Sequence, residues 1–322
     1  MKRIFAALLF VSAIAVSNSP AVQPPSQPAD NAALRYWMAF AQMNDSPIST
    51  EDAARMDAIV DGKASWDEPK FGPLVEQNKE AIETMIRGTQ LPYCEWGIEY
   101  NLGPDAPFAH LPKARAMARL NRLYAERLAT AGDYDGAIRS TIAGIRFAQH
   151  MAQNASFFGA LTAKVGLVVQ LAQIKQFAAS GRLSSAQLAA LRTVVQSLPE
   201  GGFRWQSAAS MEGFAIRRSM TMLADAPDPK ALYQEWFGNP TPENFRPPSY
   251  KDKDDLDFAM ALYAKLLGMP PDAAIAQLPA LQRQIAALNP VVQMAVPNPV
   301  RMIAARAEVI AAQQAVAEAL RR

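Results

Sequence analysis

The stretch SFFGALTAKVGLVVQLAQIKQFAAS, Ser156 to Ser180, is apolar on almost every side when wound as a helix. Only Lys164, Gln170, Gln173, Lys175 and Gln176 interrupt it. A helix with one apolar stripe can lie on a surface, whereas a helix that is apolar all round must be enclosed. The rest of the chain therefore has to build a shell, and its spacing predicts a shell of helices.

From Asn31 onward the apolar residues recur at helical intervals almost throughout. NAALRYWMAFAQMND places Leu34, Trp37, Met38 and Ala41 on one stripe, and Ser46-Pro47 ends it. Its aromatics, Tyr36, Trp37 and Phe40, read as anchors into a core. TEDAARMDAIVDG stops at Gly62. PLVEQNKEAIETMIRG reads as one helix, with Leu74, Ala81, Ile82 and Met85 together and Gly88 as its terminator. FAHLPKARAMARLNRLYAERLATAG carries Leu111, Ala114, Met117, Leu120, Tyr124 and Leu128 inward, and Arg115, Arg119, Arg122 and Glu126 outward. A tight turn follows, with Gly132 in the left-handed position and Asp133 or Asp135 capping the next helix, in which Ile138, Ile142 and Ile145 repeat. This pair resembles one tetratricopeptide-type hairpin. Beyond the central helix, Ser184 with Gln187 forms a capping box, Asp228-Pro229 and Asn298-Pro299 each start a helix, and Pro279 is expected to split a helical stretch in two. The proline-rich loop 238–250 marks a sub-boundary.

One segment breaks the rhythm. In CEWGIEY, Cys94, Trp96, Ile98 and Tyr100 alternate with Glu95, Gly97 and Glu99. A period of two means extended chain with the first set on one face. Residues 91–107 are thus expected to cross the fold as an extended plug.

The chain starts with Lys2 and Arg3, followed by the apolar run Ile4 to Val16 and the small residues Ala15 and Ser17. This is the pattern of a secretory signal over 1–17. NSPAVQPPSQPAD follows as a flexible linker over 18–30, leaving 31–322 as the helical domain. Taking Lys2 and Arg3 from 32 basic residues leaves 30 against 30 acidic ones. Such a balance carries no electrostatic footprint for nucleic acid. No other stretch is expected to span a membrane once the signal is cut. A lone cysteine cannot staple the fold. Two histidines 40 residues apart, without a paired motif, argue against a metal site, and no cofactor motif is present.

NAALRYWMAF, CEWGIEYNLGPDAPFAHLPKARAMARL and AGDYDGAI, in that order, resemble a group of exported bacterial proteins over about Asn31 to Asn154. The resemblance implies an all-helical exported protein and brings no activity or catalytic residue. In that group the chain would continue past a final helix like that ending at Arg322.

Two chemistries merit weighing. Cys94 with His110 and an acid, Glu95 or Asp105, has the cast of a thiol nucleophile, base and orienting carboxylate. The alternation opposes it, since Cys94 shares a face with Trp96 and Glu95 does not. A cysteine there reads as a small buried hydrophobe. Glu95 and Glu99 share the opposite face; at about 3.3 Å per residue their backbones stand about 13 Å apart. Their side chains could close to the roughly 5–10 Å that glycoside hydrolysis uses, with Asp105 nearby. Otherwise they are surface acids, partners for the arginine stripe Arg115, Arg119 and Arg122. His150, in the last turn of its helix, reads as a cation suited to the helix dipole.

The expectation is an all-α fold, an irregular bundle or short solenoid of antiparallel hairpins with one extended plug. The expected role is a non-enzymatic scaffold, exported to the periplasm or beyond, binding a protein or peptide partner. The alternative is an exported hydrolase acting on cell-wall sugar or peptide with the acids near Glu95.

Overall fold

A computed structural model describes residues 30–44, 49–238 and 240–321. The expected signal and nearly all of the linker lie outside the described residues. Among those residues the fold is all-α. Its fourteen helices are α1 (Ala32–Gln42), α2 (Thr50–Val60), α3 (Glu68–Gln77), α4 (Lys79–Gly88), α5 (His110–Thr130), α6 (Tyr134–Ala152) and α7 (Phe157–Ala179), then α8 (Ser185–Ser197), α9 (Trp205–Asp225), α10 (Pro229–Phe237), α11 (Tyr250–Leu267), α12 (Pro271–Ala286), α13 (Pro290–Ala295) and α14 (Pro299–Ala319).

The all-round apolar helix is α7. It is long and apolar enough to cross a membrane by length and composition, yet most of that stretch is buried inside the fold. It packs on α5 and α6 on one side and on α9 and α14 on the other. Leu167, Leu171 and Ile174 are wholly enclosed. The hairpin turn before α6 has Gly132 at φ 88°, and the Asp133 carboxylate accepts from Gly136 N at 2.8 Å. Ser184 and Gln187 cap α8 reciprocally, and Asp228 and Asn298 cap α10 and α14.

Three expectations are corrected. α1 buries Ala32, Ala33, Tyr36, Ala39 and Phe40, and leaves Leu34, Trp37, Met38 and Ala41 exposed. The helix is apolar on two faces. The alanine-rich one wins because small side chains let α4 come close, bringing Gly88 against the Tyr36 ring. The stretch read as one helix from Pro73 is two, α3 and α4, parted at the buried Asn78, whose side chain donates to Leu74 O and accepts from Asn44 N. Pro279 does not break α12, because it is exposed and the Ile275 carbonyl it leaves unbonded lies on a solvent-facing turn.

The extended segment is shorter than expected. It runs from Tyr93 to Glu99, then winds into a 3-10 segment, Tyr100–Asp105, with Gly103 in the left-handed region. Cys94, Trp96 and Tyr100 point inward and Ile98 is half-buried, as the alternation requires. Among the described residues the segment has no neighbouring strand to pair with, apart from a single bridge between Asn31 and Tyr93. Side-chain amides replace the missing partner. Asn31 Nδ2 donates to Glu95 O and Asn31 Oδ1 accepts from Glu95 N, both at 2.9 Å. Gln153 Oε1 accepts from Cys94 N at 2.9 Å. The 3-10 segment packs on α9, where Arg218 Nε donates to Asn101 O.

Candidate functional site

The plug fixes what surrounds it. The Trp96 ring lies parallel to His110 at 4.5 Å and to Tyr36 at 5.6 Å between centroids. Its indole N–H donates to the backbone oxygen of His150 at 3.4 Å. Tyr36 reaches from α1 to the last turn of α6, where its hydroxyl meets His150 Nδ1 at 2.5 Å.

His150 is not the cation its position suggested. Burial, with Arg146 nearby, pulls its pKa down to about 4. Burial also holds the Tyr36 hydroxyl protonated far above its ordinary range. Tyr36 is therefore the donor and Nδ1 the acceptor, which leaves the ring proton of the neutral imidazole on Nε2. The other edge of His150 faces a cleft of about 380 Å³ between the end of α6 and the loop leading into α9. Gln149, Gln153 and Asn154 line one wall and Arg204 and Ser207 the other.

That opposite wall depends on two consecutive glycines. Gly201 and Gly202 both have φ above 80°, and a Cβ on Gly202 would stand 2.1 Å from Leu167 Cδ2. Only glycine lets the loop settle on α7 and bring Arg204 over the cleft. Asn154 has φ 52°, the one non-glycine residue with positive φ among the described residues. The Tyr100 hydroxyl ties down this turn, donating to Asn154 O at 3.4 Å and accepting from Ser156 N at 3.0 Å.

The residues weighed for catalysis do not form one centre. Cys94 is wholly buried, and burial together with Glu95 pushes its thiol far above the ordinary range. The thiol lies against the Ala33 backbone N–H. His110 stacks on Trp96, its Nδ1 has no hydrogen-bond partner, and burial lowers its pKa to about 4. The Glu95 carboxylate accepts from Asn154 Nδ2 at 3.0 Å and Gly97 N at 3.3 Å. Glu99 and Asp105 are exposed and share no hydrogen bond with Glu95 among the described residues. The arginine stripe divides: Arg119 pairs with Asp57 at 3.1 Å and Arg115 touches Thr162 at 3.4 Å. Arg122 is wholly buried, contrary to expectation, and reaches Glu126 at 2.6 Å and Gln176. Its long stem packs like a core residue while its head meets partners on α5 and α7. No group of His, Cys, Asp or Glu suited to a metal ion occurs among the described residues.

Two other concavities have polar linings, one with Lys63, Glu126 and Arg182 and one with Asp57 and Arg119. These charged groups already have partners: Lys63 with Asp61, Glu126 with Arg122, Arg182 with Tyr134 and Arg119 with Asp57. The groove of about 640 Å³ between the ends of α7 and α14 is lined chiefly by alanines. The cleft residues Gln149, Gln153, Asn154 and Arg204 carry no motif in the sequence. The Gly201-Gly202 pair was the one available signal, marking a loop that packs closely. No protein-family model matches the chain, and no curated protein and no solved structure does so either.

Proposed function

We propose that this protein is an exported, non-enzymatic helical scaffold that holds a peptide, or an extended segment of a partner protein, in the cleft between α6 and the α8–α9 loop. One observation carries the reading. The chain already holds an extended backbone, residues 93–95, with side-chain amides from Asn31 and Gln153, and the adjoining cleft presents more groups of the same kind. A second extended segment would meet Gln149, Gln153 and Asn154 along one wall. A cleft of a few hundred Å³ with a few placed polar groups suits a short peptide stretch.

The burial of Cys94 and His110, together with the exposure of Glu99 and Asp105, favours binding over hydrolysis. Hydrogen exchange on residues 18–322, with a pool of short alanine-rich peptides added, tests the proposal. Slowed exchange at 149–154 and 199–207 is expected, with the peptides recovered intact. Exchange unaltered at both segments, or release of soluble fragments from peptidoglycan, would overturn it.

A further inference from the structure

The bonds already made around the cleft sort its lining. Gln149 and Asn154 spend their amide N–H groups on Gly202 O and the Glu95 carboxylate and keep their oxygens, whereas His150 and Gln153 spend acceptors and keep donors. His150 Nδ1 is occupied by Tyr36, so its remaining ring nitrogen presents N–H. Gln153 spends its oxygen on Cys94 N, so its NH2 group remains. The Ser207 hydroxyl stands opposite. The Arg204 guanidinium, exposed at the rim, has no hydrogen-bonding or charged partner among the described residues. Among the described residues no Asp or Glu lines the cleft, and the nearby Glu95 carboxylate is engaged by Asn154 Nδ2 at 3.0 Å. Arg204 also stands at the N-cap of α9 without a side-chain cap bond, so the first N–H groups of that helix add to the same polarity.

Four donors, one of them the cationic Arg204, face the two remaining amide oxygens of Gln149 and Asn154, a set that suits an anion whose own backbone N–H groups those oxygens can meet. Arginine matches a planar carboxylate with two parallel N–H groups. Phe203 and Pro199 beside them offer an apolar flank for a side chain. On the premise that the cleft binds peptide, we infer that it recognises the C-terminal carboxylate of that peptide, with Arg204 as the ion-pairing residue and His150 and Gln153 as neutral donors. This selects chain ends and excludes the middle of a folded partner.

The test compares N-acetyl-trialanine as the free acid with its C-terminal amide, by calorimetry on residues 18–322. The amide is expected to bind at least about tenfold more weakly, the scale of a charge-assisted hydrogen bond. Arg204→Ala should lose about tenfold or more for the acid and change the amide little, and Arg204→Lys should recover part of the loss. Arg301→Ala, exposed on α14, removes the same charge elsewhere and should leave both affinities unaltered. Equal binding of acid and amide overturns the carboxylate inference and leaves peptide binding standing. Binding of neither overturns both. An amidated peptide with an internal glutamate binding as well as the free acid overturns the terminal assignment, as does acetate alone binding equally well.

Discussion

Tyr36 and His150 are 114 positions apart in sequence, and the hydroxyl of one donates to Nδ1 of the other at 2.5 Å. The bond joins α1 to the end of α6 behind the cleft, so it both holds the first helix in place and sets the tautomer of a cleft residue. Tyr36→Phe keeps the ring packed against Trp96 and Phe147 and removes the bond alone. Leaving Nδ1 without a donor should cost about 1–3 kcal/mol. Urea unfolding of the variant measures it. A stability unchanged from wild type would mean that water replaces the hydroxyl. Nitrogen-15 shifts of His150 should show the Nε2–H form in wild type and a mixture in the variant.

Both histidines should make the fold acid-sensitive. His110 and His150 have pKa values near 4 in the fold against an ordinary 6.5. Between those values the unfolded chain binds protons that the folded chain refuses. Their contribution is complete above about pH 6.5 and is lost as the pH falls toward 4. His110→Phe retains an aromatic ring on Trp96 and removes the unpartnered Nδ1. The variant should match wild type at pH 7 and lose less stability at pH 4.5, as read by urea midpoints at the two pH values. An equal loss at pH 4.5 would sink the assignment for His110.

Asn31 should behave as more than a helix cap. Its side chain accepts from Ala33 N at 3.0 Å and also makes both bonds to the Glu95 backbone. A capping residue alone is worth about 1 kcal/mol, whereas unpairing two further backbone groups adds about 1–3 kcal/mol. Asn31→Ala should therefore cost well beyond a cap, and Asn31→Asp should restore the acceptor and fail to restore the donor. Amide exchange at Glu95 in the two variants separates these effects.

Glu212 points the opposite way. It is buried, its Oε2 accepts from Phe157 N at 3.0 Å, and burial outweighs that bond to raise its pKa. The fold holds this proton more tightly than the unfolded chain, so stability falls as the pH rises from 4.5 through the raised value. Glu212→Gln keeps an oxygen for Phe157 N and removes the buried charge. Its melting temperature at pH 8 should equal or exceed that of wild type. A large drop would show that the carboxylate's charge against the α7 N-terminus outweighs its desolvation.

Where one periodicity dominates, the chain's pattern and its structure agree. α7 has no polar face, so only the centre can hold it. The capped starts at Ser184, Asp228 and Asn298 satisfy local backbone groups whatever the tertiary context. The alternation from Cys94 to Tyr100 survives because a slip of one residue would expose Trp96. Agreement fails where two faces compete, as in α1, which is settled by what α4 can approach. Pro279 misleads because a proline's cost depends on whether the carbonyl it frees can reach water. The cleft was not legible because its walls lie some 50 residues apart, joined by the fit of Gly202 on Leu167 and by no local motif.

Cys94 should prove inert. Its thiol is wholly buried beside Tyr36 and Trp96, its pKa is pushed far up by burial, and His110 is engaged in stacking on Trp96. The thiolate that would attack a substrate is thus suppressed at neutral pH. A thiol reagent should label the native protein slowly, at a rate set by opening of the fold, and the urea-unfolded protein fast. Cys94→Ala removes one sulfur from a packed site, and should cost less than the roughly 2–5 kcal/mol of truncating a large aliphatic residue. Cys94→Ser buries a hydroxyl in its place and should cost about 1–3 kcal/mol unless the oxygen finds a partner. Rapid labelling of the folded protein at pH 7, with Cys94→Ala folding normally, would mean that the thiol is reachable and would reopen the nucleophile reading that its burial argues against.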